Sequence, residues 1–243
     1  MDRAVFDRMA EVDANHWWFV GRRSIIAQFL FERMKDHGSA PLRILEIGCG
    51  TGSNLRMLQA FGQVEAIEPD AGARQVALDR FDVEIADGLL PDGLDVADAS
   101  YDLIVMLDVL EHIEDDEAAL RQVKRKLKPG GKLLLTVPAM PWLWSSHDEA
   151  HHHFRRYTTK AMTRALTGAR YTIHHRSHFN TLLFPMICAA RVAGWITRRK
   201  GGDDAMPGAL ANRILGAIFA TERAWIARWS VAIGVSMLVF AEA

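Results

Sequence analysis

The chain has 243 residues, 49% hydrophobic and 24% charged, the balance of a globular protein and not of a disordered chain, a collagen or a coiled coil. A net charge of −1 gives no global attraction for nucleic acid, so no such partner is expected. Two cysteines, Cys49 and Cys188, are too few for a disulfide scaffold, and Met1 to Ala14 hold no apolar signal run, which points to a cytoplasmic chain.

Apolar residues at helical spacing over 20–34 (Ile25, Ile26, Phe29, Leu30, Met34) predict an N-terminal helix, stopped by His37-Gly38-Ser39-Ala40-Pro41. Arg43 to Ile47 reads as a first strand running straight into Gly48-Cys49-Gly50-Thr51-Gly52. Helical spacing then resumes through Leu55, Leu58 and Phe61, with Gly62 as the stop. Val64 to Glu68 predicts a second strand, 70–80 a helix and Val83 to Ala86 a third strand. Tyr101 to Leu107 is a continuous apolar run, the pattern of a parallel strand covered on both faces. Ile113, Leu120, Val123 and Leu127 mark the next helix, broken by Pro129-Gly130-Gly131 ahead of a strand over Lys132 to Val137. Tyr171 to Ser177 and Val235 to Phe240 read as two further strands. Strands alternating with helices at this spacing predict a doubly wound α/β sheet.

Between the last two strands lie apolar stretches at about 180–198 and 209–230. The longest uncharged run in the first, Asn180 to Ala190, falls well short of the roughly 20 residues that cross a bilayer. In the second, Ile214, Ile218, Trp225 and Trp229 share a face. Both read as helices that cover a pocket or rest on a membrane surface, with core packing as the plain alternative.

The glycine run is where the chemistry starts. Gly48, Gly50 and Gly52 sit between a strand and a helix, where missing β-carbons let a ligand approach the backbone. Position 53 is Ser, so the G-x-G-x-x-G dinucleotide pattern is not cleanly met. Glu68 closes the second strand, where a carboxylate can accept from both hydroxyls of a ribose. Glu46 puts negative charge beside the loop, which repels a pyrophosphate and suits a cationic amino-acid ligand. Asp87-Gly88 follows the third strand, where a carboxylate can accept from an adenine amino group.

These pieces, with Glu68-Pro69-Asp70, Tyr101-Asp102-Leu103-Ile104, Asp108-Val109-Leu110-Glu111-His112 and Leu127-Lys128-Pro129-Gly130-Gly131, resemble the class I S-adenosylmethionine-dependent methyltransferases, specifically a bacterial type 11/12-like subgroup. The resemblance covers about 40–140. It implies a Rossmann-like seven-stranded sheet, mostly parallel with an antiparallel last strand, N-terminal helices and a helical insertion at about 180–230. It divides the chain into a helical cap (1–40), a cofactor-binding core (41–140) and a substrate-side region (141–243) of one domain. By position it implies that Glu46, Gly48, Cys49, Gly50 and Gly52 hold the methionine moiety of S-adenosylmethionine, Glu68 the ribose, Asp87 and Gly88 the adenine, with Asp108 near the methionine end. Asp108 has an equal reading as a helix cap. Asp108-x-x-Glu111-His112 also looks like the metal-binding stretch of ubiquinone-type O-methyltransferases. Similar Glu-His pairs occur in this fold without a metal, so none is expected and His112 is read as lining the pocket.

The acceptor belongs beyond the fifth strand, where Pro138 to Asp148 follows the carboxyl edge. Trp142 and Trp144 offer flat apolar walls, and His147 is the candidate general base with His112 second. His147 and His151 have helical metal spacing but no evident third ligand. Arg155, Arg156 and Tyr157 form the candidate clamp for an anionic group. From Ala150 to Gly202 there are ten Lys/Arg and no acid, which predicts a positive stretch of surface facing an anionic substrate or the inner membrane face. His16-Trp17-Trp18-Phe19 with Arg22 and Arg23 reads as a lid over the cofactor.

The resulting expectation is methyl transfer to oxygen of a small or lipid-linked acceptor. The competing expectations are a membrane-surface binding module without turnover, and a nicotinamide-dependent oxidoreductase.

Overall fold

Seven strands form one sheet in the computed structural model, which describes residues 10–35, 40–197 and 206–243 and, beyond Ala193 in its helix, no side chains up to Thr197. The stop at His37 to Ser39 and the bases Arg198, Arg199 and Lys200 lie outside the described residues. The strands are β1 (Leu42–Ile47), β2 (Gly62–Ile67), β3 (Glu84–Ala86), β4 (Tyr101–Leu107), β5 (Leu127–Pro138), β6 (Thr172–Phe179) and β7 (Ser236–Glu242). Their order is β3-β2-β1-β4-β5-β7-β6, with β7 antiparallel to both neighbours and the remaining pairs parallel. This is the Rossmann-like sheet that the resemblance implies. The order reverses between β1 and β4, and the crevice beyond their carboxyl ends is where such sheets bind ligands.

The helices are α1 (Trp17–Met34), α2 (Leu55–Leu58), α3 (Ala71–Arg80), α4 (Asp116–Lys126), α5 (Ser146–Ala150), α6 (Thr159–Gly168), α7 (Phe184–Thr197), α8 (Ala209–Thr221) and α9 (Arg223–Ile226). Both sheet faces are covered. Leu45, Ile104, Met106, Leu133 and Leu135 meet Leu120, Val123, Met162 and Leu166 of α4 and α6. Ile44, Leu103, Val105 and Leu134 meet Ile25, Ile26, Phe29 and Leu30 of α1, with Phe219 of α8. Burial on both faces is why β4 reads as an unbroken apolar run.

Several boundaries differ from expectation, and Ile113 lies ahead of α4 instead of on it. The helix after the glycine loop is a single turn, because Gly62 already opens β2 and leaves no room to continue through Phe61. β5 starts at Leu127, with Lys128 to Gly131 absorbed as an irregularity: Tyr101 pairs with Leu127, yet Leu103 pairs with Lys132.

The insertion is helical, as expected, and is tied to the N-terminal helix. Gly21 lets Phe219 lie against α1, since a β-carbon there would come within 2.4 Å of the Phe219 ring. Asn212 accepts from the Trp17 backbone N–H and donates to the Asn15 carbonyl, each at 2.8 Å. Buried Glu222 accepts the backbone N–H groups of Thr181 and Leu182 at 2.6 and 2.9 Å. Of the predicted face, Ile214, Ile218 and Trp229 are exposed and Trp225 is half-buried, so core packing does not account for most of it. Among the described residues, no helix is long and apolar enough to cross a membrane.

Candidate active site

The glycine loop folds back over β2, with Gly48 and Cys49 donating to the Ile67 carbonyl at 2.8 and 3.2 Å. Gly48, at φ +72°, lies so close to Val109 that a β-carbon would meet its side chain at 2.6 Å. Gly50 has φ +56° and open space where a β-carbon would point. The chain is thus bent for a ligand to approach the backbone. Cys49 is buried, and burial pushes its thiol up, with Glu46 and Glu68 adding to the effect.

Glu46 is fully buried at the end of β1. One oxygen accepts from Asn54 at 2.9 Å, and the other has no partner in the chain. Burial lifts its pKa from an ordinary 4.5 to about 7, against the opposing pull of Asn54 and Arg22. Glu68 accepts the backbone N–H of Gly50 at 2.7 Å and of Asp70 at 2.9 Å, one on each oxygen. Burial raises its pKa and the two N–H groups oppose the rise. Each of its oxygens keeps acceptor capacity for a sugar hydroxyl. Asp87 is exposed and pairs with Arg74 at 3.2 Å, and Gly88 lies tight against Gly93 and Ile67.

Asp108 follows β4 at φ +58°. Its carboxylate pairs with Arg22 and accepts from Thr136 Oγ1 at 3.1 Å. Arg22 also lies 4.5 Å over the Trp18 ring. A second tie is bidentate, Arg80 to Asp13 at 2.9 and 3.1 Å, and Arg80 donates as well to the Thr51 carbonyl of the glycine loop. The N-terminal segment is therefore fastened on both sides of the crevice. Sequence reading missed both pairs, because nothing local marks Arg22 or Asp13 as partners of residues far along the chain.

Beyond β5, residues 139–157 return to the sheet, with the Tyr157 N–H donating to the Pro138 carbonyl at 2.8 Å. Asp148 is the knot of this loop. It accepts from Arg156 Nε at 2.7 Å, His153 Nδ1 at 2.9 Å and the Ser145 backbone N–H at 2.9 Å. Burial pushes its carboxyl up, but the hydrogen bonds from His153 and Arg156 and the Arg156 charge outweigh that and hold it well below the usual range. Arg156 is buried and donates also to the Ala139 carbonyl, and the buried Tyr157 hydroxyl donates to Asp116 at 2.8 Å. Arg155 pairs with Asp116 at 3.2 Å and donates to the Glu114 carbonyl. Both arginines already face carboxylates within the chain. The residues of the expected clamp thus meet internal ion pairs here, and the burial of Arg156 takes its charge away from the expected positive surface.

Trp142 is half exposed and stands edge-on to Phe184 of the insertion at 5.9 Å, while Trp144 is partly buried. The His147 and His151 rings lie 4.1 Å apart at a tilt of 35°, and His112 meets His153 edge-on at 4.7 Å. Burial, with the nearby His153 and His151, lowers the His112 pKa from 6.5 to about 3, so it is neutral at pH 7. Beside His112 and His153 lies Glu111, wholly buried, with neither carboxylate oxygen hydrogen-bonded to another side chain. Burial first, then the Asp108 charge, raises its pKa well above the carboxylate range.

Residues 20–176 match the methyltransferase-domain family, well over half of the chain. This chain is a member of the methyltransferase-domain family. The chain is 32% identical over 115 residues to human thiol S-methyltransferase TMT1A, covering 42% of this chain and 46% of that one. It is 31% identical over 135 residues to the ubiquinone biosynthesis O-methyltransferase of Xanthomonas oryzae, covering 51% and 56%. The chain thus spans about half the length of these curated relatives. An S-adenosylmethionine-dependent methyltransferase from Mesorhizobium loti shares the fold at a TM-score of 0.57 and 16% identity, over 88% of this chain and 98% of that one.

Proposed function

We propose that the chain transfers a methyl group from S-adenosylmethionine to a small or lipid-linked acceptor, at oxygen. The observation that carries the reading is Glu46: a wholly buried carboxylate with one oxygen unpartnered, beside a glycine loop whose Gly50 leaves open space. An uncompensated buried acid is costly unless a cation or hydrogen-bond donor reaches it. The donor set therefore fits a cationic amino-acid ligand.

When bound, S-adenosylmethionine supplies an electrophilic methyl carbon on a sulfonium. Glu46 with Gly48, Cys49, Gly50 and Gly52 would hold its methionine end, Glu68 the ribose, Asp87 and Gly88 the adenine. Asp108, fixed by Arg22 and Thr136, adds negative charge at the mouth of the crevice. Arg22 and Trp18 close over that mouth and exclude water, which favours a displacement in which opposite charges cancel. On the acceptor side Trp142 and Trp144 align the nucleophile, which is most of what such a displacement needs. His147 takes the acceptor proton. His112, with a pKa of about 3, is too weak a base at neutral pH and serves as a neutral wall of the pocket.

The insertion supports an acceptor with an apolar part. Among the described residues, Leu210, Ile214 and Ile218 form an exposed stripe along α8, with Trp229 and Ile233 exposed just beyond it. Phe184 joins the insertion to Trp142 at the acceptor side. A surface of this kind suits peripheral contact with a bilayer that carries the acceptor. The test is mass spectrometry of lipid and aqueous cell extracts incubated with the enzyme and methyl-deuterated cofactor. A product three mass units above its unlabelled form in the lipid extract is expected. No labelled product in either extract, from protein that binds the cofactor, would overturn turnover on a cellular acceptor.

A further inference from the structure

We propose that Glu111, His112 and His153 form a binding site for a divalent transition metal of the zinc type. The three side chains offer ligand atoms that all lie within 4.8 Å of one another, though His153 comes from a loop more than 40 residues away. That loop is pinned in place: the Phe154 N–H donates to the Glu111 carbonyl at 2.8 Å.

The charges around the cluster leave one acid over. Arg22 is paired with Asp108 and Arg156 with Asp148, so Glu111 feels both cations only at a distance and forms an ion pair with neither. A wholly buried carboxylate with both oxygens unpartnered holds either a proton or a cation. The neighbouring histidines favour the cation. Asp148 is ionised and can only accept, so His153 donates through Nδ1 and its Nε2 faces Glu111 Oε1 at 4.0 Å. That is too long for a hydrogen bond and near the span of two ligands on one ion. A carboxylate behind the far nitrogen of a histidine is the usual way a metal-binding imidazole is oriented. The His112 ring is engaged by the His151 backbone carbonyl, which leaves its other nitrogen as an acceptor.

Two imidazoles and one carboxylate suit zinc and its transition-metal neighbours and disfavour calcium and magnesium, which take oxygen ligands. Three protein ligands leave a position for water or the acceptor's heteroatom. Asp108 stands outside the set, since Arg22 and Thr136 hold it.

The test is calorimetric titration of untagged, chelator-stripped protein with zinc chloride, read alongside visible absorption after cobalt(II) substitution. One equivalent should bind, with an intense visible band from low-coordinate cobalt. Glu111→Gln and His153→Asn should each weaken zinc at least tenfold. The chelated Glu111→Gln protein should melt no lower than chelated wild type, because the amide replaces a protonated, neutral acid of the same shape, but should lose the zinc-dependent rise in Tm. If it fails to fold, His153→Asn decides by the same readings. The proposal is overturned if zinc does not bind, which leaves a protonated Glu111. It is equally overturned if binding survives Glu111→Gln but disappears in the His147→Asn/His151→Asn double variant, which puts the ion on that histidine pair. None of these readings uses turnover, so the site stands or falls apart from the methyl-transfer reading.

Discussion

The two ends of the crevice bury charge in opposite ways. At the glycine loop, Glu46 and Glu68 take only a side-chain amide and two backbone N–H groups, and both keep accepting capacity. In the loop after β5, Asp148 is saturated by a histidine, an arginine and a backbone N–H. Residue type alone makes both Arg156 and Glu46 look like ligand-holding residues. Counting partners separates them: unfilled capacity in a buried acid marks a ligand site, and filled capacity marks scaffold.

The contrast can be broken most strongly at the saturated end. Asp148→Ala leaves Arg156 buried without its carboxylate and should cost about 3–5 kcal/mol in chemical denaturation. A loss under 1 kcal/mol would mean that the knot is not structural. At the open end the effect depends on pH. Glu46 has a folded pKa near 7 against 4.5 unfolded, so the folded state holds the extra proton between these values. The associated stability is present below pH 4.5 and is lost as pH rises through 7. Relative to Glu46→Gln, wild type should lose up to about 3 kcal/mol across that window. Parallel curves for the two proteins would contradict the burial of that charge.

Smaller effects sharpen the role of the insertion. Gly21→Ala forces a methyl against the buried Phe219 ring. It should cost about 1–3 kcal/mol by overpacking, partly offset by about 1 kcal/mol of helix propensity, in the same denaturation assay. Trp229→Ser, on an exposed residue, should change stability by no more than about 0.5 kcal/mol yet reduce co-sedimentation with anionic vesicles at low salt. Equal sedimentation of both proteins, or none by wild type, would remove the membrane contact.

Much of the cofactor edge was legible because its signals are local. The apolar run of β4, the glycines at the β1 turn and the acid at the end of β2 each announce themselves within a few residues. What failed to show was long-range. Arg22 with Asp108, Asp13 with Arg80, and His153 beside Glu111 join segments separated by tens of residues, and no periodicity encodes them. The single-turn α2 was overread because Leu55, Leu58 and Phe61 keep helical spacing even where Gly62 is already pairing with Leu42 in the sheet. The partners of Arg155 and Arg156 were not legible, because a stretch without acids in sequence says nothing of the acids that folding brings to its bases.

The most direct test of the central claim is calorimetric titration of the protein with S-adenosylhomocysteine. The account predicts one site per chain, weakened by at least about 1–2 kcal/mol in Glu68→Ala, which leaves buried polar partners unmatched. No binding to wild type, or equal binding to Glu68→Ala, would contradict it.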